Sequence, residues 1–550
     1  MKTRMFLLAL LVLAFSVSNS AGQIGIDRFL DRYKPEPVAA PPMTPDRLQV
    51  LIRNGEIPLS IGDLVTLTLE NNLDIKVSRL NPVASEYAIR TNYRPFEATL
   101  TIDANMTSDG SRSRTQLTGV DSVSQFVNNF SVGYFDKFQS GTDLSLEFTV
   151  NRTATNDAFR TFNPAWFTTM RYQVTQHLLN GFGQTVNSRG IRVAKNNKTI
   201  SEAQFERTLM DLVSQAEKSY WDLVFAAVDI KIKKDSLALA EKTQSDNEIQ
   251  VQVGTLANVE LVQSRTQVAT RKEELIVSSF TQMQIQDQVK KVLSRSPDPG
   301  LVIANISPTQ DATAPGPSDI LPPADAIRVA LENRPERRQA VFELRNSEIE
   351  VRYARNQLLP ILDVTGSYTH SGVGGTETLR GGLGSTAPII GIIRGGAGDA
   401  FSDLFSNRSR GYALGFNLQI PIGNGSRQAE FSRVTVEQKT NEENIKAIDQ
   451  QIALEVRNAI TTVEMNKARV EAASVSRELA KEQLEAEQRR FELGASTVRF
   501  VLEEQRNYGQ MQTNENAALV NYRKALVDYD RALGMTLRKN NVNIEKAVAD

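Results

Sequence analysis

Cysteine is absent from this 550-residue chain, so neither a disulfide framework nor a thiolate metal site is open to it. Histidine occurs only as His177 and His370, too few for an imidazole-built metal or catalytic centre. Neither sign of charge dominates, with 63 basic against 64 acidic residues, and no basic field suited to nucleic acid stands out. A Gly-x-x-x-x-Gly-Lys phosphate loop is missing, which leaves no evident ATP site. Gly382 to Ala387 (GLGSTA) superficially matches a dinucleotide fingerprint, but no strand–helix unit surrounds it. It sits in a Gly-rich stretch, Gly372 to Gly398, expected to form a long outer loop. No nucleophile–base pair, metal cluster or cofactor site emerges, so an enzyme is not expected.

Long apolar runs are equally scarce. Lys2 and Arg4 precede the apolar run Met5 to Val17, and Ser18, Ser20 and Ala21 offer a cleavage site, so residues 1–21 read as a secretory signal. No later segment approaches the ~20 apolar residues that a spanning helix needs. The mature chain is therefore expected to be exported without a transmembrane helix. Residues 22–57 form an N-terminal extension whose PEPVAAPPMTP run reads as extended chain.

What the chain does contain is a duplication. Leu59 to Asp74 (LSIGDLVTLTLENNLD) and Leu321 to Glu336 (LPPADAIRVALENRPE) align without a gap. Each copy leads through helix into alternating residues and then into a long helical stretch, giving repeats over 58–294 and 323–537 around a proline-rich linker, 295–322, and a tail, 538–550. Strands are expected over about 98–177 and 361–421. Leu100, Ile102, Ala104 and Met106 alternate with polar residues, as do Leu144, Leu146, Phe148 and Val150; Met170, Tyr172 and Val174; Leu362, Val364 and Tyr368; and Tyr412, Leu414, Phe416, Leu418 and Ile420. A soluble β-sandwich also alternates. Glu147 and Arg171 on the polar side, and Trp166, Phe167, Tyr368 and Tyr412 near strand ends, favour a barrel with a wet lumen and an interfacial aromatic belt. His177 and His370 fall at strand ends and read as rim residues.

The helical blocks carry a coiled-coil seam: Leu209, Val213, Ala216, Tyr220, Leu223, Ala227 and Ile230, then Leu519, Tyr522, Leu526, Tyr529 and Leu533, and more loosely Ile445, Ile448, Ile452, Val456, Ile460 and Val463. A helix from Ile191 to Val253 would be roughly 90 Å long, so it must project and pack lengthwise. Gly254 and Gly494 interrupt the two blocks, and each reads as the tip of a helical hairpin.

Together these features resemble the TolC-like outer-membrane efflux protein family. The matching residues are Leu64 to Asn71 and Ala326 to Asn333, Leu358-Leu359-Pro360 entering a strand, Gln176 to Gly183 and Ile420 to Asn424 leaving one, Tyr220-Trp221-Asp222, and the two tip glycines. The resemblance covers about residues 58–537. It implies an α+β outer-membrane protein: a homotrimer whose chains each give four strands to one β-barrel in the lipid, continued by a helical coiled-coil barrel into the periplasm. It further implies a passive exit duct, without catalysis, that works with a periplasmic adaptor and an inner-membrane pump of RND or ABC type, for small molecules or for a secreted protein. Phe130 to Phe138 and Leu144 to Asn151 form a hairpin the family pattern does not call for; it would raise the count to six strands if it joined the barrel, and it is expected to project from the outer loop instead.

The same resemblance points to the constriction just after the tips. Glu260 and Gln263 follow Gly254, and Phe500 and Glu503 stand at the corresponding places after Gly494, which suggests a partly apolar, partly acidic gate. Gly254, Thr255, Leu256, Gly494, Ala495, Ser496 and Thr497 are the expected adaptor-docking tips, because small residues let a partner helix approach the backbone. The competing reading is a periplasmic coiled-coil scaffold of the cell envelope that conducts nothing.

Overall fold

The duplication has a backbone signature. In the computed structural model, helix α1 (Ile61–Asn71) stops at Asn72 and α2 (Leu73–Thr91) begins at once; α5 (Pro323–Asn333) stops at Arg334 and α6 (Pro335–Gln357) begins at once. Asn72 and Arg334, aligned in the repeat, share an extended conformation (φ −61°, ψ 127° and φ −69°, ψ 123°). The causes differ. Asn72 caps α2 by accepting the amides of Asp74 and Ile75 at 2.8 and 3.2 Å, whereas Arg334 is held out of the helical region by Pro335 behind it. The described residues are 33–35, 47–52, 55–115, 118–295, 299–316, 320–382, 387–406 and 408–542. The helices and strands belong to one compact unit, Arg47–Val548; the leader expected at 1–21 lies outside the described residues.

After α2 come four strands, β2 (Thr99–Arg112), β3 (Ser122–Phe138), β4 (Thr142–Thr155) and β5 (Phe162–His177), and after α6 come β7 (Ile361–Arg380), the short β8 (Ile389–Ile393) and β9 (Arg410–Gln419). All pair antiparallel in one sheet, in the order β2-β3-β4-β5-β7-β9, with β8 on the far end of β7. The extra hairpin is thus not a projection from the outer loop. Its strands β3 and β4 lie inside the sheet between β2 and β5, each paired along most of its length, so the described residues supply six long strands. Backbone amides of strands this long need partners on both sides, and insertion into the ladder provides them.

The strands run into long helices. α3 (Arg189–Gln252) has 64 residues and α8 (Gly425–Glu492) has 68, roughly 95–100 Å each at the standard rise. Each folds back through a tip onto a shorter partner, α4 (Asn258–Leu293) or α9 (Val498–Ala532). The seam read from the sequence is largely buried: Leu209, Val213, Ala216, Tyr220 and Leu223 on α3, Ile452, Val456, Ile460 and Val463 on α8, Tyr522 and Tyr529 on α9.

The stretch between the repeats is more than a connector. β6 (Asn305–Pro308) pairs in parallel with β1 (Glu56–Leu59), and Leu301 and Ile306 enter a core with Leu64, Tyr220, Trp221 and Leu293. Tyr220 and Tyr529 each accept a linker amide, from Gln310 at 3.1 Å and from Leu321 at 2.9 Å. At the end of the chain, Asn540 donates to Glu217 on α3 at 3.0 Å. Burial pushes the Glu217 carboxyl up to about 7; Asp530 nearby adds to this, while Asn540 and Lys539 oppose it.

Candidate functional site

Register converts the alternation into two faces. On one face, a row of paired residues crosses the sheet as Leu100, Tyr134, Leu146, Tyr172, Tyr368 and Tyr412, and the next as Ile102, Val132, Phe148, Met170 and His370. The opposite face carries Thr101, Gly133, Glu147, Arg171 and Thr369 in one row and Asp103, Ser131, Thr149, Thr169 and Ser371 in another. Glu147 and Arg171, read separately as lumen residues, stand directly opposite each other. An apolar face with tyrosines, backed by a face of hydroxyls, amides and paired charges, suits a wall between lipid and water. At the helix-proximal rim of the polar face, His177 Nδ1 lies 2.6 Å from Asp363 and Nε2 lies 3.3 Å from Asp143. His370 instead packs edge-on against Tyr368.

Among the described residues, β2 pairs only with β3 and β9 only with β7, so the sheet has two open edges. Leu100, Ile102 and Met106 on β2 and Tyr412, Leu414, Phe416 and Leu418 on β9 are all exposed in the single chain. An edge of this length cannot face hydrocarbon unpaired, because its amides and carbonyls would have no partners there.

The tips are built twice in the same way. Gly254 and Gly494 adopt φ of 83° and 70°. Around each, a six-residue turn closes a Schellman motif: Thr255 N donates to Gln250 O at 2.9 Å, and Ala495 N to Arg490 O at 2.9 Å. Thr255, Gly254, Gly494, Ala495 and Thr497 are exposed, while Leu256 and Ser496 are half-buried. Ser496 donates to Glu487. Beyond the tips, Glu260 and Phe500 occupy equivalent places in the first turns of α4 and α9. Glu260 is half-buried, with Oε2 enclosed and without a hydrogen-bond partner among the described residues, while Gln263, Phe500 and Glu503 are exposed. Glu503 is within 4.0 Å of Arg506. The fold therefore gathers the tip residues at the ends of the two hairpins and puts the gate candidates one to two turns behind them.

One feature escaped the sequence reading. The Gly-rich stretch is not simply a loop: Gly372 and Gly374 belong to β7, and the chain beyond forms β8 and helix α7 (Ala397–Phe405). α7 lies on the apolar face, with Phe401 against Phe148 at 5.6 Å between ring centres. A Cβ on Gly372 would fall 2.2 Å from Ala400 O, and one on Gly374 2.5 Å from Ala400 N. The clue was available in the alternate glycines, Gly372 and Gly374, within a strand, which mark close backbone approach.

A sheet with one apolar and one polar face, continued by two helices about 100 Å long that each fold back on a shorter partner, matches the fold of solved outer-membrane efflux channels. Residues 326–535 match the outer membrane efflux protein family, and the whole architecture resembles solved channels of that kind. The CmeC outer membrane channel of Campylobacter jejuni shares 16% identity at a TM-score of 0.60, over 88% of this chain and 90% of that one. The MtrE outer membrane channel of Neisseria gonorrhoeae, in its open state, shares 16% at 0.58, over 87% and 89%. The outer membrane protein VceC of Vibrio cholerae shares 12% at 0.59, over 86% and 96%. No curated protein matches the chain by sequence.

Proposed function

We propose that this protein is the outer-membrane exit duct of an envelope-spanning exporter, a passive and non-enzymatic channel. The observation that carries this reading is the two-faced sheet with bare edges running directly into the long helix pairs. Copies joined edge to edge, β9 to the next β2, close a barrel with lipid outside and water within, and the helices extend the tube into the periplasm. In a homotrimer, three sets of six long strands would give eighteen, a wider barrel than four strands per chain would build. The tips, Gly254 to Leu256 and Gly494 to Thr497, would meet a periplasmic adaptor, and an inner-membrane pump of RND or ABC type would supply the energy. The cargo would be small molecules or a secreted protein.

In this reading Glu260, Gln263, Phe500 and Glu503 ring the narrow end. Like charges repeated around a pore favour cations and must be balanced by neighbours. The test is single-channel conductance of the purified protein in planar bilayers, compared with a Glu260→Lys, Glu503→Lys double variant. Reversal should raise the conductance or change block by cations. Unchanged currents would remove these residues from the gate, and a protein that never conducts would fit an envelope scaffold better.

A further inference from the structure

The segment between β7 and β9 is apolar where an outer loop in water would be polar. Ile389, Ile390, Ile392 and Ile393 of β8 are all exposed, and Phe405 at the end of α7 is 76% exposed. These side chains do not hang from a flexible arm. α7 is seated on the apolar face of the sheet, where Thr168, only 1% exposed, donates its hydroxyl to Ala400 O at 2.9 Å and Ala400 and Leu404 are buried. Gly372 and Gly374 leave the groove it occupies.

Charge is sorted to match. The two acids of α7 are turned to backbone amides: Asp399 accepts from Gly396 at 2.6 Å and Asp403 from Val373 at 3.1 Å. The arginines flanking α7, Arg394 before it and Arg408 and Arg410 after it, are exposed. A strand of exposed isoleucines beside a helix that is seated by Ala400, Phe401 and Leu404, exposes Phe405 at its end, bonds its acids to backbone amides and has arginines at its margins has the chemistry of the boundary between acyl chains and anionic headgroups.

We propose that residues 387–406 form an interfacial element that lies on the outside of the barrel wall and inserts Phe405 and the β8 isoleucines into the lipid, with the arginines at the headgroups. The occupant of this surface is lipid, because the patch is continuous with the apolar face that α7 covers. The inference rests on the reading of that face as lipid-facing.

The chain has no cysteine, so single-cysteine variants can be labelled without background. Full-length Phe405→Cys, Ile390→Cys and, as a reference on the apolar face away from α7, Val174→Cys would carry an environment-sensitive fluorophore. Each would be placed in vesicles of ordinary or brominated phosphatidylcholine. The expected result is loss of emission in brominated vesicles at all three positions, with little quenching by aqueous iodide. Quenching by bromolipid at Val174→Cys alone, with iodide acting at the other two, overturns the interfacial element and leaves the channel wall intact. Iodide quenching at all three overturns both.

Discussion

Thr168 and Ala400 are 232 positions apart in the chain, yet the Thr168 hydroxyl donates to the Ala400 carbonyl at 2.9 Å. This bond, with the glycines beside it, fastens α7 to the sheet. Gly372→Leu should detach the helix, since even a Cβ there falls 2.2 Å from Ala400 O, a backbone atom that cannot rotate away. The expected cost is about 1–3 kcal/mol of overpacking. Trypsin cleavage after Arg394 and Arg408 should accelerate, and an unchanged digestion rate would refute the docking.

The tip glycines should behave alike. No atom of the described residues lies within 4 Å of a Cβ on Gly254 or Gly494, so crowding is not at issue; the positive φ is. Replacement by Ala or by Leu should cost a similar ~1–2 kcal/mol. Hydrogen exchange at the amides of Thr255 and Ala495 reads this directly. A much larger loss for Leu than for Ala would mean that the tips are packed.

Equivalent positions in the two repeats should differ in cost. Arg334 is only 6% exposed and binds Glu455 at 2.7 Å and Glu336 at 3.0 Å, so Arg334→Ala takes a buried cation from two partly buried carboxylates, leaving Glu336 to Arg207 and Glu455 to Gln451, and should cost up to about 3 kcal/mol. Asn72→Ala removes one helix cap and should cost ~1 kcal/mol. Denaturant unfolding of both variants checks the order; equal losses would contradict it.

Glu217 should make stability pH-dependent. Its carboxyl is raised to about 7 in the folded protein from an ordinary 4.5, so the folded state holds the proton more tightly. Stability from this group is complete below pH 4.5 and falls as pH rises toward 7, by an amount on the order of a few kcal/mol. Glu217→Gln, which keeps a hydrogen-bonding side chain without the charge, should flatten the melting temperature over that window. An equally steep variant would assign the slope to other groups, such as Asp530, whose carboxyl burial also raises.

Local patterns were legible in the sequence because local physics sets them. Alternation fixes which strand residues share a face, as Leu144, Leu146, Phe148 and Val150 do. Stepping by three and four placed Leu209, Val213, Ala216 and Tyr220 in a buried seam. A glycine between two helices specified each tip, since a Schellman turn needs positive φ at one residue and contacts only its own helix.

The tertiary structure decided what depends on partners far along the chain. The β3–β4 hairpin has the same alternation whether it projects or joins the sheet, and only its pairing with β2 and β5 shows that it joins the sheet. Gly372 and Gly374 look like loop residues until the backbone of Ala400 is brought against them. The linker reads as proline-rich spacer until Ile306 meets Tyr220 in one core. By itself the sequence determined the period, the turns and the duplication, because those depend on neighbours in the chain. Which strands meet and which faces are covered was left to the fold, because that choice is made by contacts whose partners no period can name.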